Sequence, residues 1–325
     1  MRAVLESTRP FAWGVGAVTR REFVVGGASV AALLAAGCGT QGSGAAAGGT
    51  REWRQPDGSI LQIPADPQRI AALDVVAGMM IVQAGRGERI VLHLRSDQNL
   101  EAGVFEWPAG SVEAGRESDP NIELIAAQRP DLIITFTESE IFDQLSAIAP
   151  AASVTYRDGF SWREYFVDAA DLVGATAEGE RIVAGIDRRI AGLRDRIPAG
   201  TSLAVLRVGV GGLGAYPGFY PADLIDDLGL GTPAQLALDP DGDPCCIDLS
   251  VEQLGDLDAD VIFAAVDQTG DGAAGWEDLQ TNPLWQSHPA VQAGRAHRVS
   301  SGAWISWTPV GVPLALDDVE RYLVP

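Results

Sequence analysis

Asn121-Ile122-Glu123-Leu124-Ile125-Ala126-Ala127-Gln128-Arg129-Pro130-Asp131-Leu132-Ile133-Ile134 reads as a short capped helix, then an acid, then a buried strand. The same order returns at Leu249-Ser250-Val251-Glu252-Gln253-Leu254-Gly255-Asp256-Leu257-Asp258-Ala259-Asp260-Val261-Ile262, 128 residues further on. That spacing is too long for a solenoid, whose units recur every ~20–50 residues. It suits two similar lobes.

Outward from the first copy, Trp53 to Pro67 is a polar stretch with a turn signal at Pro56-Asp57-Gly58, and a hairpin is expected there. Arg69 to Asp74 reads as a buried strand ending at an acid. Ala77 to Ala84 reads as a helix, Arg89 to Leu94 and Pro130 to Phe136 as strands, Ile141 to Ala149 as a helix and Ala152 to Tyr156 as a strand. Strands alternating with helices predict an α/β unit with a parallel sheet. Trp162 to Arg196 is helical in pattern. Ile182, Val183, Ile186, Ile190 and Leu193 recur at helical spacing, Gly174 and Ala175 mark a point of interruption, and Pro198-Ala199-Gly200 stops the run.

The α/β pattern then restarts. Strands are expected at Ser202–Val210, Ala259–Ala265 and Ala296–Val299, and helices at Ala222–Leu228, Val251–Leu257 and Val310–Leu323. The expected fold is two α/β lobes, 53–160 and 198–325, joined by a single long helix over 161–197.

The chain has 325 residues, 46% hydrophobic and 21% charged, enough to build two cores. Its net charge is −21, and every cationic residue is an arginine. Residues 1–37 carry a net +2, which leaves −23 on the rest. Such a surface repels nucleic acid and excludes it as a partner. Cys38, Cys245 and Cys246 do not form a zinc pattern, and His93, His288 and His297 are too few for a bare-metal site. The adjacent Cys245 and Cys246 read as two free thiols near a loop, a strained vicinal disulfide being the alternative.

No nucleophile elbow, zinc-protease helix or phosphate loop is present, so no enzyme is expected. The glycine-rich Gly209 to Gly214 is expected to form a flexible cleft wall, and Asp239-Pro240-Asp241-Gly242-Asp243-Pro244 a solvated turn.

The N-terminus is an address. Thr19-Arg20-Arg21-Glu22-Phe23-Val24-Val25 is a twin-arginine pattern, followed by a small apolar run from Val24 to Gly37 that is too short to cross a bilayer. Leu34-Ala35-Ala36-Gly37-Cys38 resembles a lipobox, with Ala35 where a bulky residue is usual. Residues 1–37 are therefore expected to be a signal peptide, Cys38 the lipidated residue, and 38–52, rich in Gly, Ala and Ser, a tether.

Four segments carry a family resemblance. They are Ile63 to Asp74, Asn121 to Ile134, Tyr216 to Leu230, and a closing set made of Asn282-Pro283-Leu284-Trp285, Val291 to Arg295 and Trp304. In this order they resemble the substrate-binding proteins of ABC importers for ferric siderophores, haem and cobalamin. The resemblance implies a ligand cleft between the lobes and a ferric siderophore as cargo, with haem or cobalamin as the alternative and a structural lipoprotein as the rival class. No cofactor is implied beyond the iron inside the ligand. The partners it implies are a permease dimer with its ATPase subunits, and a membrane reached through the lipid anchor; a monomer is expected. It also implies that Glu123 and Glu252, one per lobe, meet arginines of the permease.

A siderophore cleft needs flat apolar faces and cations. The residues expected to supply them follow the strands. They are Arg95, Trp107, Tyr156 and Arg157 in lobe one and Arg207, Tyr216, Phe219, Tyr220, Trp304 and Trp307 in lobe two, with Phe160 and Trp162 just before the linking helix.

Overall fold

The computed structural model describes residues 49–96, 104–136, 139–154, 161–209, 212–215, 220–236, 247–266, 270–305 and 309–325. Among them no helix is long and apolar enough to cross a membrane. The expected signal peptide and Cys38 lie outside the described residues, as do Cys245 and Cys246.

The described chain opens on the expected hairpin, β1 (Thr50–Arg54) paired antiparallel with β2 (Ile60–Pro64). The strand starts at Thr50, so residues 50–52 belong to the hairpin rather than to the tether expected over 38–52.

Lobe one follows as β3 (Ile70–Ala72), α1 (Val75–Ile81), β4 (Ile90–Arg95), β5 (Val112–Arg116), β6 (Asp119–Pro120), α2 (Ile122–Ala127), β7 (Leu132–Ile134), α3 (Phe142–Ser146) and β8 (Ala151–Ala152). Its sheet runs β6-β5-β4-β3-β7-β8, parallel except for the β5–β6 pair. Ile70 and Ala72 enter one apolar cluster and Ala71 the other, so the sheet is buried on both faces. That is why its strands read as unbroken apolar runs rather than alternating ones.

The hairpin covers the β8 edge. The Gln55 amide donates to Ala151 O (3.1 Å) and accepts from Ser153 N (2.8 Å), as a neighbouring strand would. Strand β5 was not legible in the sequence, because Ala114 is the one fully buried residue of the strand and no apolar run marks it.

The segment expected as one linking helix is two. α4 (Trp162–Leu172) and α5 (Thr176–Arg194) meet at a turn where Gly174 takes φ +68°, a conformation that ends a helix. They pack antiparallel. A Cβ on Gly179 would lie 2.8 Å from that of Ala170, so the close crossing requires glycine. α4 gives Tyr165, Phe166, Ala169, Ala170 and Leu172 to the lobe-one core. The long helix that joins the lobes is α5, about 28 Å in length. Its Ile182 and Val183 touch both cores, and its Ile186, Ile190 and Leu193 belong to lobe two.

Lobe two comprises β9 (Leu203–Gly209), β10 (Gly212–Ala215), α6 (Tyr220–Asp227), β11 (Ile247–Leu249), β12 (Val261–Val266), α7 (Gly270–Thr281), α8 (Pro283–Ser287), α9 (Pro289–Gln292), β13 (Ala296–Ser300), α10 (Ser301–Trp304) and α11 (Val312–Leu323). Its sheet runs β11-β10-β9-β12-β13. The β9, β12 and β13 strands are parallel, while β10 and β11 are antiparallel. Of the glycine-rich run expected as a flexible wall, Gly209 ends β9 and Gly212, Leu213 and Gly214 lie in β10, where Gly212 pairs with Gly209; residues 210 and 211 lie outside the described residues. The helix expected at Val251–Leu257 is a 3-10 turn over Val251–Asp256, capped reciprocally by Ser250 and Gln253.

Candidate functional site

Parallel strands bring their C-terminal ends to one edge of a sheet, where α/β folds hold ligands. In lobe one that edge carries Asp74 after β3, Arg95 and Ser96 at the end of β4, Thr135 after β7 and Ser153 after β8. In lobe two it carries Gly209, Val266 and Ser300.

Arg95 is the last residue of β4 and the exposed one on a strand with the pattern buried, intermediate, buried, buried, buried, exposed. Its guanidinium stands 3.8 Å from the Glu113 carboxylate on β5. Arg207 is likewise the exposed residue near the C-terminal end of β9, whose other side chains are buried up to Val208. Its neighbours across the sheet are Gly214 and Ala265, both small. Each lobe thus places an arginine at the C-terminal end of an otherwise apolar strand, a position the core does not need charged.

Trp107 is half-buried and committed to packing. It stacks on His93 (4.4 Å, 12°), meets Phe105 edge-on (5.1 Å), and fills the space a side chain on Gly78 would need. Its buried Nε1 has no hydrogen-bond partner among the described residues. His93 Nδ1 lies 2.7 Å from Ser111 Oγ, and burial pushes its pKa down to about 4 against the opposing pull of Glu113, so the ring is neutral at pH 7.

The structure corrects two of the expected ligand aromatics. Trp304 is fully buried. It lies edge-on to Phe263 (5.0 Å), and its Nε1 donates to Asp318 Oδ2 (3.0 Å), so it is a lobe-two core residue with no face for a ligand. Trp162 is buried in the same core. Tyr156, Arg157, Phe160, Tyr216, Phe219 and Trp307 lie outside the described residues. So does the side chain of Tyr220, the first residue of α6.

Glu123 is exposed in the first turn of α2, behind its cap Asn121, whose Oδ1 accepts from Leu124 N (2.9 Å). Glu252 is exposed at the same offset behind Ser250. Hydrogen bonds from its own backbone N–H and from the Ser250 hydroxyl hold its carboxyl below the usual range.

Sequence reading missed the partner of one buried acid. Asp74 caps α1 by accepting from Ala77 N (3.0 Å), and its other oxygen accepts from the Tyr165 hydroxyl (2.9 Å). Both groups are buried. Desolvation raises the Asp74 pKa to about 6 and the Tyr165 pKa well above 10. Nothing in the local sequence of Asp74 announces a partner 91 positions away.

The sequence profile described as periplasmic binding protein matches residues 85–300, which span parts of both lobes. The chain belongs to the periplasmic binding protein family.

Other members of this family are similar along most of their length. The probable siderophore-binding lipoprotein YfiY of Bacillus subtilis (strain 168) is 28% identical, with 85% of this chain and 88% of that protein covered. The Fe(3+)-citrate-binding protein YfmC of the same strain is 24% identical over 64% of this chain and 67% of that one. Among solved structures, the triscatecholate siderophore-binding protein FeuA of Bacillus subtilis, complexed with ferri-bacillibactin, superimposes with a TM-score of 0.68. It is 20% identical, with 84% of this chain and 98% of that one covered. Periplasmic binding proteins with this two-lobed fold bind rather than catalyse.

Proposed function

We propose that the chain is the extracytoplasmic binding component of an ABC importer, and that it carries a ferric siderophore in the gap between its lobes. The observation that carries this reading is the pair of exposed arginines, Arg95 and Arg207, one at the C-terminal end of a buried strand in each lobe. Arginine offers a fixed donor fork to carboxylate, catecholate or hydroxamate oxygens. Among the described residues no group of three or more His, Cys, Asp or Glu comes together that could hold a bare metal ion, which favours a preformed iron chelate as the cargo. The named relatives YfiY and YfmC support the same class of ligand.

In this reading residues 1–37 direct export by the twin-arginine route, Cys38 carries the lipid, and the folded lobes stand off the membrane on the residues that follow. Glu123 and Glu252 register the two lobes on a permease dimer, because symmetric exposed carboxylates steer encounter more than they add affinity. Reversing both charges should leave ligand affinity unchanged while abolishing delivery by the reconstituted importer.

The direct test removes residues 1–38 and uses the seven tryptophans that remain of the eight. Fluorescence is followed during titration with ferric siderophores, their iron-free forms, haem and cobalamin. Sub-micromolar saturable quenching by one ferric siderophore class supports the reading. Binding of haem or cobalamin alone would replace the cargo, and binding of nothing would leave a structural lipoprotein as the better account.

A further inference from the structure

A single helix between two bodies permits them to bend and to twist about its axis. α5 is such a helix, but lobe two is fastened to lobe one at two further points. The first is the start of α4. While the rest of α4 packs into lobe one, its first residue, Trp162, is buried among lobe-two residues that include Ile186, Leu224 and Val312. Next to it, the Arg163 guanidinium lies 4.5 Å from the Trp162 ring centroid. Its Nε donates to Asp187 Oδ1 on α5 (2.8 Å), and its Nη2 donates to Asp227 Oδ2 on α6 (2.7 Å). The two bonds use the planar fork that lysine lacks. The second point is Val310, just before α11, which packs against the lobe-one cluster built around Val75 and Met79.

We propose that Trp162 and Arg163 form a clamp that fixes the rotation of lobe two about α5 and thereby sets the distance between the two arginine-bearing edges. They are assigned as positioning residues, because Trp162 is buried and the Arg163 fork is taken up by Asp187 on α5 and Asp227 on α6. The proposal rests on the gap between the lobes being the ligand site. The off-axis placement matters mechanically. Bonds to α6 resist a twist that α5 alone would allow, and the stacked indole holds the guanidinium in the plane that reaches both carboxylates. A preset gap saves the ordering cost of closing on each ligand, so it should act mainly on ligand dissociation.

The test places spin labels at Ala127→Cys on α2 and Leu284→Cys on α8, in a chain lacking residues 1–38 and carrying Cys245→Ser and Cys246→Ser. Distance distributions are recorded by pulsed electron resonance without ligand for the parent, Arg163→Met, Arg163→Lys and Asp227→Asn. Affinity and dissociation rate are measured for an iron(III) tricatecholate and for iron(III) citrate, and stability by urea unfolding. Arg163→Met and Asp227→Asn should broaden the distribution by several ångströms and speed dissociation of whichever chelate the parent binds about tenfold. Arg163→Lys should recover only part of both effects. Asp227→Asn keeps the shape of the site and serves if Arg163→Met fails to fold. An unchanged distribution in a folded variant would overturn the clamp, and so would a broadened one with unchanged dissociation. A parent that binds neither chelate counts against the ligand reading, and the ligand-free distances still decide whether the clamp exists.

Discussion

Asp131 and Asp260 do the same work in the two lobes. Asp131, one residue before β7, accepts from the backbone N–H groups of Gln68 (2.8 Å) and Arg69 (2.9 Å), which lead into β3. Asp260, one residue before β12, accepts from the Ser202 N–H (2.9 Å) and hydroxyl (3.0 Å), which lead into β9. In each lobe the acid at the start of one parallel strand fixes the start of its neighbour.

Removing either acid leaves backbone donors to find water instead. Asp260→Ala and Asp131→Ala should each cost about 1 kcal/mol in urea unfolding. The Ser202 donors hold the Asp260 carboxyl below its usual range, so its stabilisation is present above the unfolded pKa and is lost as pH falls through the lower folded value. The Asp260→Ala penalty should therefore shrink in strong acid. A penalty that is the same at pH 7 and pH 2 would show that the charge of the carboxylate carries none of it.

This repeat explains how much of the fold was legible. A capped helix, an acid and a β-rich apolar run are local signals: the first copy formed the elements its residues called for, and the second formed its strand but a 3-10 turn in place of the helix. The connector was less legible. Gly174 marked the break, but the return of α4 onto lobe one depends on Gly179 meeting Ala170, a tertiary contact. The site was least legible. Arg95 was expected to follow its strand and is its last residue, and Arg207 was expected in or at the end of its strand and lies within it, whereas Trp304 follows a strand as a ligand residue would and is nevertheless core. Sequence position cannot tell a ring that faces the cleft from one that turns inward to Phe263.

Trp304 gives a direct check of that distinction. Trp304→Ala should destabilise the chain by about 3–5 kcal/mol through loss of buried area and the cavity left behind. Trp304→Phe should cost less, and the folded Phe variant should bind ligand as the parent does. A Phe variant of parental stability with tenfold weaker binding would return Trp304 to the ligand site.

The Asp74–Tyr165 pair predicts a pH dependence. Burial raises the folded Asp74 pKa to about 6, above the ordinary 3.8, so the folded chain takes up a proton that the unfolded chain does not yet hold. Its contribution to stability is fully present below about pH 4 and is lost as pH rises through 6. Across that window the parent should lose roughly 3 kcal/mol that Asp74→Asn does not lose, since Asn keeps an oxygen for the Ala77 N–H. The check is urea unfolding of both proteins at pH 4, 5, 6 and 7. Parallel pH curves would mean that Asp74 is charged throughout.

Arg95 and Arg207 should act on the ligand and hardly on the fold. Both side chains are exposed, so Arg95→Gln and Arg207→Gln should shift the melting temperature little. A hydrogen bond to a charged partner contributes about 1.5–3 kcal/mol, which corresponds to a tenfold or greater loss of affinity for an anionic ferric chelate. The two losses should add, because the residues sit on separate sheets in different lobes. Arg95 also sits beside Glu113, so Glu113→Gln should free its guanidinium and tighten binding modestly. If the double variant binds as the parent does, the strand-end arginines are surface charges and the ligand is held by the loops alone.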